Sequence, residues 1–334
     1  MLESGIYIMT NGSVRNDSDI SYSTLDSALS LVKEEVDRAL STSPIIIRGY
    51  TKHLMAARGK FIRAISLLTC AQNKDDLIKT DAVKLAAAVE ILHLATLVHD
   101  DVIDDADIRR GIPTLQKKFG KKTAVICGDY LLCIALKLAA DVPDKQNYQN
   151  LNMPDYMTRV CFGELNQHIN NGNFDLSVYR YLKIISGKTA ALFEASFYAG
   201  AVLSGSDPSE IKKYKRLGRY IGMIFQLIDD CMDFEASENI AMKPVQSDFE
   251  QNVITLPLIH TFANMLGFKE KTKLNEVSRE DINDAVSRTG GLSYTRMIAK
   301  KYYNKFLKIL DETDITENKK NGLISILNKA FRVF

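Results

Sequence analysis

The chain has 334 residues, 46% of them hydrophobic, and a net charge of +2. That length supplies a large core. The near-neutral charge gives no basis for a nucleic-acid or anionic-membrane partner, so any basic function is local. Only seven prolines and eighteen glycines interrupt long Ala, Leu, Ile, Lys and Glu tracts, which favours helices over many-stranded folds.

Five cysteines (Cys70, Cys127, Cys133, Cys161 and Cys231) lie in apolar stretches without a CxxC pair or a zinc-like histidine spacing. They read as buried, reduced thiols of a cytoplasmic protein. No apolar run is read as reaching membrane-spanning length. The opening MLESGIYIMTNGSVRNDSD lacks the basic-then-apolar plan of a signal peptide. Residues 1–20 are expected to be a flexible polar tail, and translation could begin at Met1 or Met9.

In chain order, Thr24 to Leu40 has the spacing of an amphipathic helix, with Leu25, Ala28, Leu29, Val32, Val36 and Leu40 on one side. Lys60 to Cys70 predicts a second apolar helix. Thr80 to Asp105 is the longest uninterrupted helical pattern, stopping near Arg110-Gly111-Ile112-Pro113. Helices are predicted over Thr123–Ala140, Pro154–Asn170 and Ser177–Ser204. Asp207-Pro208 starts another, which runs through a Lys/Arg-rich segment into GMIFQLIDDCMDF. Residues 235–255 are polar and irregular, and helices continue from Leu256. With no repeat or Gly/Ser linker, residues 21–334 read as one large all-α domain.

Two acidic triads carry the chemistry: Asp100, Asp101 and Asp104 in DDVID, and Asp229, Asp230 and Asp233 in DDCMD. Positions i, i+1 and i+4 fall at about 0°, 100° and 40° around a helix, so each triad shares a face. Clustered carboxylates beside apolar helices repel one another and resist desolvation unless a cation joins them. A solvated acidic helix end is the plain alternative, but the flanking residues are apolar rather than mixed-charge. Hard oxygen ligands suit magnesium, which also takes oxygens from a phosphate. Two such sites imply a highly anionic ligand, and a diphosphate fits.

Basic residues occur in short clusters. Lys60 and Arg63 are spaced to share a helix face; Arg109-Arg110 follow the first triad; Lys188 and Lys243 lie further on. His93 sits two turns before Asp100 on the same face. Together these residues suggest two diphosphate pockets, one metal-bridged and one bound by cations.

The ordered motifs GKFIR (59–63), HDDVIDDADIRRGIPT (99–114), GDYLL (128–132), GELNQ (163–167), GKTA (187–190), FQLIDDCMDF (225–234), KPVQSD (243–248) and TLPL (255–258) cover roughly residues 50–260. Through them the chain resembles the trans-isoprenyl diphosphate synthases, the polyprenyl synthetase family. The resemblance implies an all-α fold with helices around a central cavity, and a homodimer. It implies head-to-tail condensation of an allylic diphosphate with isopentenyl diphosphate, assisted by about three magnesium ions on the six aspartates. By the same resemblance Arg109, Lys188 and Lys243 contact the allylic diphosphate. Lys60, Arg63, His93 and Arg110 hold isopentenyl diphosphate, and Thr189 and Gln226 line the reacting centre. The chain departs from the family at Phe61 (commonly Arg), Ala64 (commonly Pro), Met242, Gln246 and Asn252 (commonly Gly) and Val253 (commonly Lys).

An extended isoprene unit is about one helical turn long. Small residues at Ala95 and Thr96, one turn before Asp100, therefore suggest a medium or long product of about six to eight units. Leu92, Leu132 and Leu136 are candidate floor positions. The overall pattern also resembles the large subunit of bacterial heptaprenyl diphosphate synthases, which implies a small regulatory partner. A farnesyl or geranylgeranyl synthase, or the catalytic subunit of a heteromer, is the alternative. A terpene cyclase is disfavoured by the Lys60/Arg63/His93 set, and a non-catalytic subunit by six retained aspartates. The product is expected to pass to a membrane.

Overall fold

The computed structural model describes residues 21–56, 59–142, 153–235, 249 and 251–332. The first helix, α1 (Leu25–Ser41), begins where the Thr24 side chain accepts from Ser27 N–H, and it buries Ala28, Val32, Val36 and Leu40. Next come α2 (Ile45–Met55), α3 (Ile62–Ala71), α4 (Asp81–Ile103), α5 (Leu115–Phe119) and α6 (Lys121–Ala140). Beyond them lie α7 (Met153–Ile169), α8 (Val178–Lys188), α9 (Ala190–Leu203) and α10 (Pro208–Glu235). The chain closes with α11 (Leu256–Asn264), α12 (Phe268–Lys273), α13 (Arg279–Thr289), α14 (Gly291–Asp311) and α15 (Glu317–Phe331). Strand is confined, among the described residues, to two antiparallel two-residue pairs: β1 (Tyr22–Ser23) with β2 (Ile78–Lys79), and β3 (Ile108–Arg109) with β4 (Ile112–Pro113).

Helices α4 and α9 are apolar nearly all round and therefore occupy the interior. Helix α4 packs on α1, α3 and α6, while α9 packs on α3 and α10. A Cβ on Gly222 of α10 would stand 2.4 Å from the Ala190 Cα, so only glycine admits the α9–α10 approach there. One apolar cluster gathers α1, α3, α4 and α6; a second gathers α8 to α15. Helix α15 is locked to α3 by the buried Lys319, whose ammonium donates to the carbonyls of Cys70 (2.7 Å) and Gln72 (2.8 Å) at the end of α3.

Several sequence expectations change. Helix α10, with 28 residues, is longer than α4, with 23. The run Ser177–Ser204 is two helices, because Thr189 (φ −101°, ψ −48°) closes one and opens the next. Cys133 and Cys161 are exposed rather than buried. Two helices are long and apolar enough to cross a bilayer: α4, most of which is buried within the protein, and α6, which is much less covered. Leu136, expected on the cavity floor, is 48% exposed, because α6 buries Ala124, Cys127, Leu131, Ala135 and Leu138 and turns Leu136 to the outside.

Candidate active site

The two triads sit on the cleft-facing ends of the two longest helices. Asp104 caps α4, its N–H bonded to Asp100 O at 2.8 Å. Asp104 and Asp230 line one cleft of about 650 Å³ together with Lys188, Thr189, Gln226 and Tyr181. Burial pushes Asp100 up to about 7, against the pull of Lys188 and with Glu164 and Asp104 adding repulsion. Asp230 is likewise pushed up to about 7 by burial, although Tyr181 and Gln226 hydrogen-bond its carboxylate. Asp101 is raised by burial too, and Arg109 Nε binds its Oδ1. Burial opposes the charge on Lys188, but Asp100, Glu164 and Asp104 outweigh it and hold the ammonium above its ordinary value.

These are hard oxygen donors short of positive charge, which is the chemistry of a magnesium site. Among the described residues no three of them close around one point, so each ion would complete its shell from water and a phosphate ligand. Lys188 binds Glu164 at 2.9 Å, and Arg332 binds Asp229 at 2.8 Å. Thr189 Oγ1 donates to Gln226 Oε1 at 2.6 Å, and Gln226 Nε2 donates to Asp230 Oδ1 at 2.8 Å. That relay fixes the amide between α8, α9 and α10.

A pH dependence follows for the metal-free protein. Asp100 and Asp230 keep protons in the folded state that the unfolded chain, with its ordinary value of 3.8, has shed. The stability this confers is full below about pH 4 and is lost as pH rises through about 7. In chelator, the melting temperature is expected to fall by about 5 °C between pH 5.5 and 8, and magnesium with inorganic diphosphate should restore it. Scanning fluorimetry showing a flat or rising profile would contradict the assignment.

On another side of α4 lies a pocket of about 480 Å³ lined by Asp37, Gly59, Phe61, Glu90, His93, Arg110 and apolar residues of α1, α2 and α4. Arg63 is half-buried beside it, its guanidinium 4.6 Å above the Phe193 ring and its buried Nε without a hydrogen-bond partner. Burial lowers Arg63 to about 10, with Glu90 raising it and Arg110 lowering it, so it stays charged at neutral pH. Burial and the charges of Arg63, Arg110 and Arg109 push His93 well below its ordinary value, leaving it neutral. Glu90 is a half-buried acid raised by desolvation and pulled back by Ala64 N–H, which donates to it at 2.8 Å, and by the arginines. Arg110 in its wall and Arg63 beside it stand with Glu90 and Asp37, so the pocket offers guanidinium donors that suit an anion.

Local backbone geometry delivers these groups. Phe61 takes a left-handed conformation (φ 53°) and α3 starts after it, at Ile62. Lys60 therefore lies outside the helix and is exposed, whereas Arg63 lies in its first turn and is half-buried, so the expectation that the two share a helix face is corrected. The β3–β4 turn places Arg110 (φ 51°) and Gly111 (φ 79°) in the left-handed region, as a tight hairpin requires. This sends Arg109 toward Asp101 and Arg110 into the second pocket. Asn252 is also left-handed (φ 60°), a conformation that asparagine tolerates where glycine is the usual choice. Val253 lines the acidic cleft and brings no charge to it.

Lys243, Met242 and Gln246 lie outside the described residues. Ala95 and Leu92 are buried, and Thr96 and Leu132 half-buried. The sequence reading did not single out Glu90, Glu164, Tyr181 or Arg332. Glu90 was visible as the single acid inside the apolar body of α4, and Glu164 stands within GELNQ.

The sequence model of the family described as Polyprenyl synthetase matches residues 45–288. Heptaprenyl diphosphate synthase component 2 of Geobacillus stearothermophilus is 34% identical over 303 residues, covering 89% of this chain and 93% of the relative. Octaprenyl diphosphate synthase of Escherichia coli is 32% identical over 237 residues, covering 68% and 72%. The crystal structure of heptaprenyl diphosphate synthase from Staphylococcus aureus superposes with a TM-score of 0.84 at 31% identity, covering 93% of this chain and 99% of that one.

Proposed function

This chain belongs to the polyprenyl synthetase family and is a prenyltransferase, and on that premise we propose that it condenses an allylic diphosphate with isopentenyl diphosphate to build a trans-polyprenyl diphosphate of about six to eight units. The observation that carries this reading is the division of labour along α4. Asp104 at its end lines the acidic cleft, while Glu90 and His93, about three to four turns earlier, line a separate cationic pocket. Two anionic substrates need two such sites; a cyclase needs one.

In this reading the allylic diphosphate lies between the triads, with Arg109, Lys188 and Lys243 adding direct contacts. When bound, magnesium supplies positive charge shared between the six aspartates and the diphosphate. Lys188 stabilises charge growing on the leaving group as the allylic carbon–oxygen bond breaks and its electron pair departs with the diphosphate. Isopentenyl diphosphate is held by Arg63, Arg110 and neutral His93, with Lys60 at the rim. Its double-bond electrons form the new carbon–carbon bond, and the departing diphosphate takes the proton then lost. Ile184 and Ile185 line the cleft with apolar surface that excludes water.

The test is incubation of the purified protein with magnesium, isopentenyl diphosphate and allylic primers of graded length, with chromatography of the products. Failure to elongate any primer, alone or with a partner subunit, overturns the reading. The buried small residue at Ala95 supports a long product, and Ala95→Phe is expected to shorten it by two or more units on the same chromatogram, because a ring about one turn from Asp100 blocks the tail's path near its start. An unchanged distribution removes Ala95 from the cavity wall. Exposed Val125, Ile126 and Leu136 on α6, with Phe162 and Leu165 on α7, support a homodimer. The printed name of the Geobacillus relative, component 2, supports the second reading, the catalytic subunit of a two-component cytoplasmic enzyme.

A further inference from the structure

Positive charge concentrates on two neighbouring helices away from both pockets. The first turns of α10 carry Lys212, Lys213, Lys215, Arg216 and Arg219 against Glu210; α14 carries Arg296, Lys300, Lys301, Lys305 and Lys308 against Asp311. The helices run antiparallel here. Lys213 Nζ donates to Glu312 O (2.6 Å) at one end, and the rings of Tyr220 and Tyr302 meet at 5.7 Å at the other. Some of these cations are already engaged: Lys213 with Glu210, Arg296 with Glu235, and Lys215 over the rings of Tyr156 and Tyr198. Lys212, Arg216 and Arg219 on α10 and Lys301, Lys305 and Lys308 on α14 are exposed. Both acids within these stretches are paired, Glu210 with Lys213 and Asp311 with Lys320; Glu312 borders the face at its end.

An ordinary solvated helix face mixes signs and gains from opposite charges at i,i+4. Here Lys212/Arg216 and Lys301/Lys305 are like-charged at that spacing, which costs folding stability. The whole chain is only +2, so the remainder is net acidic and the charge is segregated onto this face. Half-buried Tyr220 and Tyr302 lie within the patch, with the Lys305 ammonium 5.6 Å from the Tyr302 ring. Met297, 44% exposed, is an apolar group on the same helix. Amphipathic rings among cations suit a boundary between water and hydrocarbon.

We propose that this face docks the protein on an anionic lipid bilayer. The two rows of cations complement a plane of lipid phosphates, and they lie on the half of α10 opposite its aspartates, so docking leaves the cleft open. The choice of a bilayer over a nucleic acid rests on the elongation reading above, whose product carries a water-insoluble isoprenoid tail. The docking itself is measured without catalysis, so the two readings fail separately.

The probe is a vesicle of phosphatidylcholine containing about one-third phosphatidylglycerol, with co-sedimentation of the full chain. Binding is expected to anionic vesicles and not to pure phosphatidylcholine, and to weaken steeply with added salt. Arg216→Glu with Lys305→Glu should lower the partition coefficient by at least about 25-fold, at about fivefold per cation removed, while turnover of soluble short substrates is unchanged. If that pair fails to fold, Lys301→Gln with Lys308→Gln removes two exposed charges and should give about the same loss. The proposal is overturned by equal binding to both vesicles, by unchanged binding of the variants, or by binding of a duplex oligonucleotide with none to vesicles.

Discussion

Replacing Asp100 by Asn is expected to cut turnover about 1,000-fold while raising the melting temperature of the metal-free protein by about 3 °C. The two effects have opposite signs for one reason. In the absence of a cation, burial pushes Asp100 up to about 7, so its ionised form is a liability to the fold at neutral pH. An amide fills the same volume without that liability. On the proposed mechanism the same carboxylate would help hold magnesium beside the diphosphate, and an amide would supply a weaker oxygen and no charge. Steady-state rates across a magnesium titration, beside scanning fluorimetry in chelator, check both halves. A variant that loses stability as well as rate would show that Asp100 is a structural residue; one that retains rate would remove it from the metal set.

The second large effect is expected at Arg63. Arg63→Met should raise the KM for isopentenyl diphosphate about 100-fold, the worth of one or two charge-assisted hydrogen bonds, with the KM for the allylic substrate unchanged. The half-buried guanidinium stands over Phe193 beside the cationic pocket, whereas the acidic cleft has Lys188 and Arg109 acting on its aspartates. Loss of the cation also leaves Glu90 with less compensating charge, so the double variant Arg63→Met/Glu90→Gln should recover thermal stability without recovering affinity. Initial rates with each substrate varied in turn decide the matter: a parallel rise in both KM values would place Arg63 in general electrostatics rather than in one pocket.

Where the chemistry depends on residues a few positions apart, the sequence was legible. Helix α1 was expected from Thr24 to Leu40 and spans Leu25–Ser41, because the apolar stripe and the Thr24 cap are both local signals. The aspartate triads were legible for the same reason. The missed residues have remote partners: Glu90 meets Ala64 across 26 positions, Lys188 meets Glu164 across 24, Tyr181 meets Asp230 across 49 and Arg332 meets Asp229 across 103. No spacing rule reaches so far. Thr189 breaks an apolar run in which periodicity alone gives no stop, and Phe61 occupies a left-handed position that side-chain type would not suggest. Leu136 shows another limit: periodicity finds an apolar stripe, but not which part of it the chain's own core covers.

The β3–β4 hairpin sends two adjacent residues in different directions, Arg109 to Asp101 of the first triad and Arg110 into the cationic pocket. Their divergence depends on a turn in which both Arg110 and Gly111 are left-handed. The consequence is pleiotropy. On the proposed function, any inherited change that relaxes this turn would alter recognition of the primer and of the extender together, so variation here would not tune one affinity while sparing the other. On the same proposal, divergence in product length would be channelled to positions such as Ala95, distant from the hairpin, where a change would touch the growing tail and neither headgroup.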